Sequence, residues 1–284
     1  MPVVNNEPVP FTLSHAAAAL PFRRTRLVPS ALLIGTFAPD LEYFIRLQAG
    51  GGWGHALSGV FALDLPVALV TLWIFHRLVK VPLVYLLPDS VRARLTRQLV
   101  PFRFGPTLRF LNVALSMLIG IATHLVLDGF THENYWISRH MKFLSTPMHL
   151  PIVGWTSLNS QLQDLLSVGG ILLLAVWCYY WYRRTRPDSH IPANPFTPRH
   201  RHVIVAIGVT VATVVSVLRA WLGTDAPIIS SLKSDLGISQ MVVTFGALVW
   251  WQLALWGLLG PFRHTHRVTS EEETYMESRA SLGD

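Results

Sequence analysis

Between Ile121 and His132 the chain reads IATHLVLDGFTH, placing two imidazoles and a carboxylate at four-residue steps in an otherwise apolar run. On an α-helix each such step turns about 40° around the axis, so His124, Asp128 and His132 share one face. Ionisable groups in apolar surroundings are costly unless partnered, and a stripe of this kind can grip a divalent cation. A second reading uses the same residues without a metal: a hydrogen-bonded His124–Asp128 pair staples helices together, and His132 sits just beyond the membrane edge.

The elements that must carry the stripe follow from composition. Of the 284 residues 51% are hydrophobic and only 14% charged, with a mean hydropathy of +0.40. That is too apolar and too poor in charge for an ordinary soluble domain. Five stretches approach or reach the roughly 20 residues that cross a hydrocarbon core: about 56–75, 110–131, 165–182, 203–222 and 240–260. The fold expected is all-α, a polytopic helical bundle in the membrane. Residues 1–268 form its single domain and 269–284, with Glu271, Glu272 and Glu273, a polar and disordered tail. The N-terminus lacks the features of a cleaved secretory signal and is expected to remain in the mature protein.

Ahead of the first full stretch, the apolar runs Leu13 to Phe22 and Leu27 to Ala38 flank Arg23, Arg24 and Arg26. This reads as a short helical hairpin, whose antiparallel arms would return Asp40 close to His15. Gly50, Gly51 and Gly52 then mark a turn before Gly54 and His55. Asp64 and Pro66 suggest a kink in the first span, with the carboxylate turned towards protein or water.

The net charge of +7 raises the question of nucleic acid, but the basic residues lie between apolar segments and form no DNA- or RNA-reading motif. They read as topology signals. Residues 77–109 hold Arg77, Lys80, Arg92, Arg94, Arg97, Arg103 and Arg109, and 183–202 hold Arg183, Arg184, Arg186, Arg199 and Arg201. Residues 132–164 offer only Arg139 and Lys142, and 223–238 only Lys233. By the positive-inside rule the first two segments are cytoplasmic and the last two external, with the C-terminus inside. His124, Asp128, His132 and His55 then share the external level, and the hairpin adds His15 and Asp40 if it opens the same way. Its three tip arginines must in that case reach the inner interface or snorkel.

Cys178 is the single cysteine, so any metal is held by imidazole and carboxylate. That donor set suits zinc, and manganese or iron less well. Bland readings stand beside each ligand: Asp40 as a helix cap, His55 as an interfacial histidine, and Gly129 as ordinary helix packing. His140 and His149 lie in the external segment as solvated histidines or a proton relay.

Together the segments FTLSHAAA from Phe11, Gly35, APDLEY from Ala38, Gly54-His55 and HLVLDGFTH from His124 resemble a bacterial membrane-protein family, domain of unknown function 4184. More distantly they are similar to YdjM-type membrane-bound metal-dependent hydrolases and to zinc-dependent phospholipase C. The latter resemblance implies that His15, Asp40, His55, His124, Asp128 and His132 are metal ligands.

The function expected is a metal-dependent hydrolase in the bacterial inner membrane. It would act on a phosphoester or ester of a lipid-like substrate at the outer interface. Asp40 and Asp128 would bridge metal or accept a proton, and His149 would protonate the leaving group. The alternatives are a metal- or proton-coupled transporter or sensor, for which Asp64 speaks, and a structural protein whose bundle is stapled by metal.

Overall fold

The computed structural model describes residues 12–47, 54–133, 135–151, 154–189, 191–223 and 227–260. The Gly50 to Gly52 turn, His190, and the tail with its glutamates lie outside the described residues. Among the described residues five helices are long and apolar enough to cross a bilayer: Leu57–Leu86, Thr107–Thr131, Leu158–Arg184, Pro198–Leu222 and Leu236–Leu259. At about 1.5 Å per residue even the shortest exceeds a hydrocarbon core of about 30 Å. The chain is an integral membrane protein built as an all-α bundle. The one departure among the described residues is a small antiparallel hairpin, β1 Met148–Leu150 with β2 Gly154–Thr156, in the segment between the second and third spans.

The first span corrects the sequence expectation. Its apolar pattern suggests an end near residue 75, where Arg77 and Lys80 follow, yet the helix runs on to Leu86. Two turns of wider π-helical winding, Val60–Asp64 and Phe75–Val79, lie within it. The helix tolerates its cation because Lys80 is partnered, its Nζ donating to the Val100 carbonyl at 2.7 Å. His76 likewise stacks on Phe102 and shares a 3.0 Å hydrogen bond with Ser30 Oγ. The basic segment expected as a loop from 77 is thus half helix.

The N-terminal hairpin is present and reaches far. Its entering arm, Thr12–Arg24, winds as a 3₁₀ helix. With a rise of about 2.0 Å per residue, it covers about 26 Å where an α-helix of equal length would cover about 20 Å. The returning arm runs through Pro29–Gly35 to the turn Ala38–Asp40. It lies along the second span: Asn112 Nδ2 donates to the Arg26 carbonyl at 2.8 Å, and the Val28 amide donates to Ser116 Oγ at 2.9 Å. Near the far end, the Thr36 carbonyl meets His124 Nδ1 at 2.8 Å. The exposed tip arginines Arg23, Arg24 and Arg26 therefore stand at the start of the second span, about 18 Å along it from His124. They do not enter the interior at the level of the histidines.

Two glycines make this contact close. A side chain on Gly120 would run into the Leu32 carbonyl and come within 2.8 Å of Gly35 Cα, while one on Gly35 would strike the Met117 backbone. Small residues that let backbones approach are the usual device of membrane helix packing. Around them Ala31, Ile34, Ala68, Leu72, Val113, Met117 and Ile121 form a buried core joining hairpin, first span and second span. The fourth and fifth spans pack together, and the fifth closes on the first where Gly257 meets the Leu78 carbonyl. The third span touches the entering arm at Gly170 and Ser14 and is otherwise largely exposed.

Candidate metal centre

Four elements converge at the His124 end of the second span. His124 and Asp128, one turn apart on that span, are 0% and 1% exposed. The entering arm contributes His15, the turn of the returning arm Asp40, and the segment before the first span His55.

Asp40 illustrates how the local fold frees a ligand. It occupies the N-cap position of Leu41–Arg46, where an aspartate ordinarily caps, but its side chain makes no capping bond. Its carboxylate turns instead towards His55 and His124. The His55 segment is tied to the same turn, because the Gly54 amide donates to Glu42 Oε2 at 3.3 Å. Gly54 has to be small: a Cβ there would lie 2.6 Å from the Pro39 carbonyl oxygen and 3.1 Å from Asp64 Oδ1.

The distances within the cluster are informative. His124 Nε2 lies 3.3 Å from Asp128 Oδ2, 3.7 Å from Asp40 Oδ1 and 3.4 Å from His55 Nε2. His55 Nε2 lies 3.3 Å from Asp128 Oδ2 and 3.5 Å from Asp40 Oδ1, and His15 Nε2 lies 3.4 Å from Asp128 Oδ1. Charge-assisted hydrogen bonds of this type run at about 2.7–2.9 Å, so these atoms stand further apart than direct bonding requires. Atoms about 2.0–2.1 Å from one tetrahedral ion stand about 3.3–3.4 Å from each other. The spacing matches shared coordination.

Electrostatics points the same way. His124 Nδ1 faces the Thr36 carbonyl at 2.8 Å and must carry its hydrogen there, which turns Nε2 into the cluster and gives the neutral ring its lone pair there. Two carboxylates and a second imidazole nitrogen face that lone pair. Among the described residues Asp40 and Asp128 pair with imidazoles alone, never with lysine or arginine. Either a proton or a cation must hold such a ring of acceptors together. Burial weighs against charge on His55, yet its bonds to Asp128 and Asp40 outweigh this and lift it to about 10, so a proton is retained there when nothing stronger competes. Two groups of three can hold a metal ion: His15, His124 and Asp128, and Asp40, His55 and His124.

Of the six ligands expected from sequence, the structure brings five together. His132 belongs to neither group. The second span ends at Thr131 and His132 adopts extended backbone, φ −115° and ψ 129°, so the i, i+4, i+8 stripe is cut after two members. Its Nδ1 meets Thr131 Oγ1 at 3.0 Å, and its ring leans on Tyr135. His149 is exposed on β1, with its ring against Trp155. Gly129 admits the short helix Trp136–His140, whose Ile137 would meet any Cβ at that position within 2.6 Å.

Three further participants surround the cluster. The Thr36 carbonyl sets the His124 tautomer. Tyr43 stacks on His55 and brings its hydroxyl within 3.5 Å of Nδ1, and Tyr135 meets the same ring edge-on. Tyr43 follows Asp40 by three residues and was the one open to sequence reasoning, as its neighbour on a short helix. Asp64, noted from sequence for its burial, is 1% exposed, and neither carboxylate oxygen has a hydrogen-bond partner among the described residues.

The fold and the cluster define an integral membrane protein with a buried histidine–aspartate centre able to hold a metal ion. The chain belongs to the family described as Domain of unknown function (DUF4184), whose model matches residues 9–258. No curated protein and no solved structure matches it.

Proposed function

We propose that the protein is a zinc-dependent membrane hydrolase acting on a phosphoester or ester of a lipid-like substrate, with the site at the external interface of the bacterial inner membrane. The observation that carries this reading is the Nε2 of His124, which faces two carboxylates and a second imidazole at coordination spacing. His124 has one free nitrogen, so the two ligand groups that share it serve one ion through that atom. His124 with two of His15, Asp40, His55 and Asp128 would hold it, which leaves a position for water or substrate. When bound, zinc supplies Lewis acidity that polarises an ester or phosphoryl oxygen and brings the pKa of water to about 7.

The protein's own part is to position and to move protons. The Thr36 carbonyl and the stacked Tyr43 ring fix two imidazoles in orientation. Asp40 Oδ2 and Asp128 Oδ1 have no hydrogen-bond partner among the described residues and are the acceptors at hand for a proton released at the centre. His149 is the candidate donor to the leaving group, a role its place on the exposed hairpin permits only for a substrate that extends that far. The choice of phosphoesters rests on the resemblance to zinc-dependent phospholipase C, and the external placement on the arginine distribution.

Purified protein assayed against phospholipids and model phosphoesters, beside Asp128→Asn, tests this. Metal and turnover should disappear together; turnover that survives loss of the metal removes the assignment.

Asp64 favours a second reading. A buried carboxylate without hydrogen-bond partners, beside Gly54 in the first span, is a feature of proton and ion pathways. Metal-driven uptake into proteoliposomes, abolished by Asp64→Asn and unaccompanied by hydrolysis, would establish transport instead.

A further inference from the structure

Of the residues that meet at the cluster, Asp40 and His55 both depend on the short helix Leu41–Arg46. Asp40 is its N-cap residue, and His55 follows Gly54, whose amide donates to Glu42 of this helix. Tyr43, also on the helix, stacks on the His55 ring. His15, His124 and Asp128 stand instead on the entering arm and the second span. A helix of six residues falls well short of the about 12 at which isolated helices begin to persist in water. What holds it from outside therefore decides where Asp40 and His55 stand.

The fourth and fifth spans hold it. On the fifth, Gly246 leaves room for Phe44, since a Cβ there would lie 2.7 Å from the ring. On the fourth, Arg219 Nη2 donates to the Leu47 carbonyl at 2.5 Å. Leu47 closes the helix in left-handed backbone, φ 54° and ψ 30°. Such a cap is ordinarily glycine, because a side chain there crowds the backbone. Arg219 offsets that cost by giving a charged donor to a carbonyl at the helix C-terminus, where cations are favoured. It is half-buried in the last turn of its span, a place from which an arginine can otherwise extend to the lipid head groups.

We infer that Arg219 is a positioning residue for the metal centre: by holding the Leu47 cap it fixes the helix that presents Asp40 and His55 to His124. The inference rests on the metal-binding part of the hydrolase reading. It adds that the fourth span, which supplies none of the cluster's residues, controls one of the two groups able to hold an ion, Asp40, His55 and His124. The group of His15, His124 and Asp128 does not depend on that contact.

The test measures cobalt(II) affinity of the full chain by competition with a chelator, together with amide hydrogen exchange across Leu41 to Leu47. Arg219→Met should weaken cobalt binding about ten-fold, the lower end of the loss typical of an outer-shell partner, and should speed exchange in the helix. Arg219→Lys, which keeps a charged donor, should recover most of both. Leu47→Gly should rescue Arg219→Met, because glycine adopts the left-handed cap unaided. A double-mutant cycle separates positioning from general loosening of the bundle. Arg219→Met should cost little once Asp40→Ala and His55→Ala are in place, yet its ten-fold loss should persist beside His15→Ala. Arg219→Gln carries the same cycle if Arg219→Met does not fold. Equal losses in the two backgrounds, or wild-type affinity in a folded Arg219 variant without the donor, overturn the inference alone. A wild-type protein that binds no cobalt removes the metal-binding reading and the positioning role with it.

Discussion

The two ends of the bundle partner their carboxylates in opposite ways. At the basic end every carboxylate described has a guanidinium: Arg201 grips Asp89 through two bonds of 2.9 and 3.0 Å, Arg92 adds a third at 3.0 Å, and Arg97 reaches Asp188. Arg94 donates to the Tyr182 carbonyl and covers its ring, so the short helix Asp89–Leu95 that follows the first span is tied to the third and fourth spans there. At the other end Asp40 and Asp128 are buried, where Asp89 is exposed, and they pair with imidazoles alone. Permanent cations complete the first arrangement, and nothing of fixed positive charge completes the second. That asymmetry separates a structural clamp from a site able to hold a cation.

The comparison can be broken from its strong end first. Asp128→Asn removes the carboxylate that touches three imidazoles. Metal affinity should fall by more than the about 10–100-fold typical of an outer-shell partner, measured by competition with a chromophoric chelator. Next comes Gly120→Leu, which forces the returning arm off the second span. It should cost about 1–3 kcal/mol or more in thermal unfolding and should also lower metal content, because Thr36 no longer meets His124. Retained metal would show that the Thr36 contact does not orient the ligand.

His132→Ala should leave metal stoichiometry intact and weaken binding by less than about 10-fold. A larger loss would return His132 to the ligand set. At the clamp, Arg201→Lys gives up the two-pronged grip on Asp89, at about 1 kcal/mol, with no effect on metal. The bonds from Arg201 hold the Asp89 carboxyl below its ordinary 3.8. The clamp's contribution is thus complete above that value and lost as pH falls through the lower folded one. Unfolding midpoints of wild type and Arg201→Lys should converge in that acid range.

Much of this was legible in the residues. Four-residue spacing placed His124 and Asp128 on one face, and the paired apolar runs around Arg23 to Arg26 implied a hairpin that returns Asp40 to His15. The five spans followed from apolar length. Other features were hidden for physical reasons. Arg77 and Lys80 looked like the end of the first span, and only the carbonyl of Val100, distant in sequence, explains how Lys80 is accommodated within it. The hairpin's reach depends on 3₁₀ winding, which composition does not announce. His132 kept its four-residue spacing but not its helix, and the tautomer of His124 is set by a backbone carbonyl, for which no side-chain pattern exists.

The most direct measurement is elemental analysis of the purified wild-type protein beside His124→Ala, with folding of both checked by circular dichroism. One divalent ion per wild-type chain, zinc foremost, and none in a folded His124→Ala variant is the expected result. A wild-type protein without metal after reconstitution with zinc, or a variant that keeps the full complement, would contradict it and leave the cluster as a proton-held helix staple.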